Sequence, residues 1–146
     1  MAQLQALLLC DLVVTTPEGK VQLQGLFDVI NAFQLPTRHG RMWVFFRFLL
    51  EEGDWVEEGK TRAMTLYLQR PSGETESLPQ MEVKVGHQGT VQGYVQLQGL
   101  PLKQEGEHWL ELFYGETRVG RCRFFVRLTE PQTVQAQPGA GSTTVH

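Results

Sequence analysis

Met64-Thr-Leu-Tyr-Leu-Gln69, Met81-Glu-Val-Lys-Val85 and Val91-Gln-Gly-Tyr-Val-Gln-Leu97 alternate apolar and polar side chains almost residue by residue. A period of two places successive side chains on opposite faces of an extended chain. Each stretch therefore predicts a strand with one dry face and one wet face, which is antiparallel behaviour. Between them stand Arg70-Pro-Ser-Gly73 and Gly86-His-Gln-Gly89, whose Pro and Gly residues suit reversals of the chain.

Towards the C-terminus, His108–Tyr114 and Thr117–Leu128 flank Gly115-Glu116 and read as a tight hairpin. Cys122, Phe124, Val126 and Leu128 are expected inward, with Arg121, Arg123 and Arg127 outward. Gly99-Leu-Pro-Leu-Lys-Gln-Glu-Gly106 reads as a long connection.

Towards the N-terminus lies the most apolar stretch, Arg41–Leu50. Met42, Val44, Phe46, Phe48 and Leu50 share one face, and Trp43, Phe45 and Leu49 surround Arg47 on the other. A strand apolar on both faces predicts cover on both. The second cover is expected from the Leu26–Phe33 segment or from a partner subunit. Leu4–Val14 reads as a first core strand interrupted by Asp11, and Val21–Gly25 as a short half-exposed strand. Leu26–Phe33 fits either a further strand or a helical turn capped by Asp28, because its apolar residues fall at both spacings. Glu51–Lys60 reads as a solvated acidic loop, and Thr37–Gly40 as a polar one.

Some eight short strands with hardly a helix-period stretch indicate an all-β fold, a two-sheet antiparallel β-sandwich over residues 1–128. A closed barrel is the competitor, but the long connections suit crossings between two sheets better. From residue 129 to 146 no aromatic and hardly a bulky apolar residue occurs, so a flexible C-terminal tail is expected.

The 146 residues carry 41% apolar and 20% charged side chains and a net charge of −3, the composition of an ordinary globular domain. Nucleic acid and anionic membrane surfaces need a concentrated basic face, and the basic residues here are scattered. No stretch approaches the roughly eighteen apolar residues of a spanning helix. The N-terminal Leu7-Leu-Leu-Cys10 lacks the basic region and small residues of a cleavable leader, and the protein is expected to be cytoplasmic. Cys10 and Cys122 are the two cysteines; one bridge, or two small apolar residues in core strands, both remain open.

Leu8-Leu-Cys-Asp11, Gly19-Lys20, Gly25-Leu-Phe-Asp28, Leu35-Pro36, Gly99-Leu-Pro101 and Gly106-Glu-His-Trp109 together resemble the pattern of an uncharacterised bacterial family of small all-β proteins, a domain of unknown function. The resemblance spans about residues 6–128. It departs at His108, which is inserted before the aromatic of the last block. It implies a bacterial source and an immunoglobulin-like sandwich, and it implies no activity and no functional residue.

The chain also offers little to a search for chemistry. Glu51, Glu52, Asp54, Glu57 and Glu58 lack the Asp-x-Asp alternation of a calcium loop. His39, His87, His108 and His146 have no partner at metal-ligand spacing, and neither cysteine belongs to a CxxC pair. Ser72 stands in a turn without a nucleophile elbow, and no glycine-rich loop opens a helix. No catalytic, metal or cofactor site is expected. Binding remains. Trp43, Phe45, Tyr67, Tyr94, Trp109 and Phe113 lie opposite the cleanest core sets. They predict a protein interface, first of all a homodimer around Trp43 and Phe45, or alternatively an aromatic platform for a glycan or small molecule.

Overall fold

The structure, a computed structural model, describes residues 2–51 and 61–130. It contains ten strands: β1 (Ala2–Thr15), β2 (Val21–Leu26), β3 (Val29–Ala32), β4 (Thr37–Leu50), β5 (Thr61–Gln69), β6 (Thr75–Ser77), β7 (Met81–Lys84), β8 (Thr90–Leu102), β9 (Gly106–Tyr114) and β10 (Thr117–Leu128). A 3-10 turn, His87–Gly89, joins β7 to β8. One sheet has the order β2-β1-β4-β8, and the other β3-β10-β9-β5-β6 with β7 also paired to β5.

The two sheets face each other across a single core. Leu7, Leu9, Met42, Val44, Phe46 and Phe48 come from the four-stranded sheet; Met64, Leu66, Leu68, Leu110, Leu112 and Phe124 come from the other. Ten of these twelve side chains, all but Leu7 and Leu9, are wholly out of contact with solvent. Burying each contributes roughly 1.5–3 kcal/mol, and the alternation that predicted the strands is what brings them to one side. The protein is therefore a two-sheet β-sandwich.

Three features differ from the expectation. The fold has ten strands where about eight were expected, because Val29–Ala32 and Thr75–Ser77 each form a short strand, and residues 26–33 are not one unit. Leu26 closes β2, the chain crosses to the other sheet, and β3 pairs in parallel with β10, Val29 opposite Phe125 and Ala32 opposite Leu128. Val29–Ala32 serves the six-stranded sheet and Leu26 stays in β2, so the segment does not fold over the outer face of β4. Second, β4 begins at Thr37 and β8 runs on to Leu102, so the polar loop at Thr37–Gly40 and the first part of the long connection are one ladder, Thr37 opposite Leu102. Gly99, at φ +66°, turns the backbone there, and Pro101 is tolerated because β8 is a sheet edge. Third, Cys122, Phe124 and Val126 turn towards the core, but Leu128 is 46% exposed, at the sheet's end. The acidic residues Glu52–Glu58 and the tail beyond Glu130 lie outside the described residues.

Candidate functional site

The outer face of the four-stranded sheet is apolar at its centre. Leu26, Cys10, Trp43 and Gln96 stand in one cross-strand row, and Leu8, Phe45 and Tyr94 in the next. Trp43 leans on Tyr94 with 5.8 Å between ring centroids. Cys10 and Phe45 are buried among their neighbours, whereas Leu8, Leu12, Leu26 and Tyr94 are 39–60% exposed. The register also places Gln22 and Gln24 of β2, and Gln92, Gln96 and Gln98 of β8, along the two sides of this face. Its cations are Arg41 and Arg47; the Arg47 guanidinium donates to Gln5 Oε1 at 2.7 Å and Gln92 Oε1 at 2.8 Å.

The opposite face of the molecule has a different character. Tyr67 and Phe113 meet edge to face at 5.2 Å on the outside of the six-stranded sheet. Arg121 lies over the Trp109 ring at 4.1 Å, and Arg123 over Phe125 at 5.0 Å. Arg118 and Arg123 are each paired with a carboxylate, Glu111 at 3.3 Å and Glu107 at 3.7 Å. Of these aromatics, Trp109 on β9 is roofed by arginines from the neighbouring strand β10. The six aromatic residues expected at an interface thus divide: Trp43, Phe45 and Tyr94 on one outer face, Tyr67, Trp109 and Phe113 on the other.

One end of the core holds two polar side chains whose burial the sequence pattern did not lead us to expect. Arg70 is 2% exposed and His108 is fully buried. They continue the inward rows of β5 and β9, one position beyond the Leu68–Leu110 pair. His108 Nδ1 lies 2.9 Å from the Gly106 carbonyl, which makes it the protonated nitrogen and leaves Nε2 an acceptor without a partner. The ring stacks on Phe124 at 5.1 Å. Arg70 donates from Nη2 to the Pro101 carbonyl at 3.3 Å and approaches Glu74 at 3.6 Å and Glu76 at 3.5 Å, while its Nε and Nη1 have no hydrogen-bond partner. Burial lowers the His108 pKa; the Gly106 carbonyl works against this, and the Arg70 charge adds to it.

Three recesses adjoin the crossover between β2 and β3. The largest, about 350 Å³, is walled by Asp11, Gly25, Leu26, Phe27, Val29, Ile30, Asn31 and His39. A second, of about 290 Å³, continues past Leu26 and Phe27 to Asp28, Cys122 and Arg123. A third, of about 260 Å³, lies beyond Ile30, Asn31 and His39. Gly25 is at φ +70°, and a Cβ there would collide with the Asp11 carboxylate, so the missing side chain leaves that carboxylate its place. Phe27 packs against the His39 ring at 6.2 Å. His39 Nε2 is shut off from solvent with no partner; burial lowers the pKa of the ring and Asp11 opposes that shift.

Among the described residues no three His, Cys, Asp or Glu side chains are grouped so as to hold a metal ion. Cys10 and Cys122 are free thiols, Cys10 turned to the outer face and Cys122 inward from the other sheet. Burial raises both thiol pKa values, that of Cys122 to about 12, the opposite of what a nucleophile needs. No helix among the described residues is long and apolar enough to cross a membrane.

The sequence pattern of a family of unknown function (DUF6941) matches residues 5–127. No curated protein matches the chain. Among solved structures it is similar to a Pseudomonas fluorescens alkylpurine DNA glycosylase bound to DNA with an abasic-site analogue: TM-score 0.55, 12% identity, over 86% of this chain and 30% of that one. A Listeria innocua β-glucosidase in complex with gluconolactone matches at TM-score 0.50 and 9% identity, over 90% and 16%. An immunoglobulin-like protein from Pseudomonas aeruginosa matches at TM-score 0.39 and 18% identity, over 87% and 97%. This chain thus spans under a third of the length of the glycosylase and about a sixth of the glucosidase. At such identities the likeness concerns the fold alone.

Proposed function

This chain belongs to that family of unknown function, and from that premise we propose that it is a non-catalytic protein-interaction module that self-associates through the outer face of its four-stranded sheet. The observation that carries the reading is the group of exposed Leu8, Leu12, Leu26 and Tyr94 around Trp43 and Phe45 on one sheet face. Contiguous apolar surface of this kind, edged by polar groups, marks an interaction site. A second copy of the chain is the occupant that fits. The flanking side chains are glutamine amides, which both donate and accept, so the rim is complementary to itself. Two of the Arg47 N–H donors are already engaged by Gln5 and Gln92 within the same face. A reducing, cytoplasmic setting suits the two free thiols.

Light scattering over a concentration series tests this. Wild type is expected to pass from monomer to dimer, and Trp43→Glu and Leu12→Glu to remain monomeric with unchanged circular dichroism. Leu12 is 40% exposed, so a folding defect in the Trp43 variant would leave that second variant informative. A wild type that stays monomeric at the highest concentration, or folded variants that dimerise as it does, would refute the reading.

A further inference from the structure

We propose that the recess at the β2–β3 crossover binds a basic group, an alkylammonium or guanidinium, between the Asp11 carboxylate and His39, with an apolar stem against Phe27, Val29 and Ile30. The argument begins with space. A volume of about 350 Å³ falls at the lower end of small-ligand sites, which are mostly apolar with a few convergent polar groups. Here the apolar part is Leu26, Phe27, Val29 and Ile30. Among the described residues Asp11 is the one charged side chain on its walls, and none of them reaches that carboxylate with a hydrogen bond or ion pair.

The second element is the orphaned nitrogen. A buried polar atom without a partner costs free energy, and His39 Nε2 is such an atom in a side chain that lines this recess. With the His39 proton on Nδ1, Nε2 offers a lone pair, as the Asp11 carboxylate does. One N–H-bearing cation between them donates to each, and its charge answers the Asp11 carboxylate, which makes these charge-assisted bonds. An anion would face the carboxylate, and an alcohol would leave its charge unanswered. The built character of the site is visible in Gly25, where any side chain would evict the Asp11 carboxylate from the wall. The inference stands apart from self-association, because its signal comes from the His39 ring.

A free amine and a Lys or Arg side chain of a partner carry the same head group, so the experiment includes both. The labelled full chain is titrated with n-butylammonium, n-butylguanidinium and Nα-acetyl-lysine methylamide, with n-butanol and butyrate as controls, following the His39 ring resonances by NMR. The cations are expected to move these resonances to saturation and the controls to leave them in place. Tighter binding of the lysine derivative than of butylammonium assigns the site to a partner's basic side chain, and the reverse order to a free amine. Asp11→Asn is expected to weaken the cations about tenfold, and His39→Gln, read at the Gly25 and Asn31 amides, less. Melting curves confirm that both variants fold. Equal responses to butanol and butylammonium, no response to any cation, or unchanged affinity in folded Asp11→Asn each overturn the proposal.

Discussion

Replacing Arg70 by Met should leave the protein as stable as the wild type or make it more stable, although it removes two ion pairs. The guanidinium is 2% exposed, and its removal from water costs several kcal/mol. Against this stand one hydrogen bond of 3.3 Å to Pro101 and two carboxylates at 3.5–3.6 Å, both beyond good hydrogen-bond range. The Glu74 and Glu76 side chains are 50% and 34% exposed, so water screens both pairs. Glu74 retains Lys103 at 3.1 Å when Arg70 is gone. Nε and Nη1 have no hydrogen-bond partner, which adds cost on the side of the folded state. Met fills most of the same volume without a charge, and a change between zero and about 2 kcal/mol in its favour is expected. Arg70→Ala, which leaves a hole beside His108 and Phe124, should cost about 2–4 kcal/mol by comparison with other large-to-small changes.

Urea unfolding of the three proteins between pH 5 and pH 8 is the assay, and His108 supplies an independent check. Its folded-state pKa lies below its unfolded value, through burial first, with a further contribution from Arg70. The unfolded chain therefore binds the proton more readily. The stability due to neutral His108 is complete above about pH 6.5 and is lost as pH falls towards the folded-state value. Removing the Arg70 charge should make this loss shallower. A Met variant that loses about 3 kcal/mol or more at pH 7.5, the usual result of breaking a favourable buried pair, would refute the reasoning.

Gly25→Ala should cost about 1–3 kcal/mol in the same assay, through its φ of +70° and collision with the Asp11 carboxylate, and a second change, Asp11→Ala, should recover part of it. Leu112→Ala, at a fully buried position between the sheets, should cost about 2–5 kcal/mol by chemical denaturation. Both thiols should resist Ellman's reagent in the native protein at pH 8 and react at once in urea, since burial holds Cys122 near 12 and raises Cys10 as well. Gly93→Ala should loosen the core by pushing the Phe46 ring, whose Cζ lies 2.7 Å from the added carbon, and lower the melting temperature by several degrees.

The strands were legible wherever one face was dry and the other wet. Met64, Leu66 and Leu68 announced both their strand and the side of it that meets the core. The same parity extended one step further reaches Arg70, and from Leu110 and Leu112 it runs back to His108. The signal for the buried pair was present, but the turn chemistry of Pro71 and Gly73 and the polar nature of both residues outweighed it. Leu26–Phe33 was unreadable for another reason. Its pairing depends on Phe125–Leu128, far along the chain, and no local period reports a parallel partner. The division of the aromatic candidates between two faces was hidden in the same way. Alternation within a strand tells which residues share its face, and only strand order tells which faces adjoin.

The position of β10 bears on how the chain comes to be folded. This strand, the last of the described elements, lies inside its sheet between β3 and β9. During synthesis, Val29–Ala32 emerges early and must wait for the final dozen strand residues before its backbone groups are paired. Until then Phe124 and Val126, which fill the interior, are missing, and the edge of β9 that β10 will occupy is open to any other extended chain. A nascent or truncated polypeptide ending before Thr117 is thus the form of this protein most prone to pair with its neighbours in the wrong way, and the hairpin at Gly115-Glu116 is the step that ends the danger.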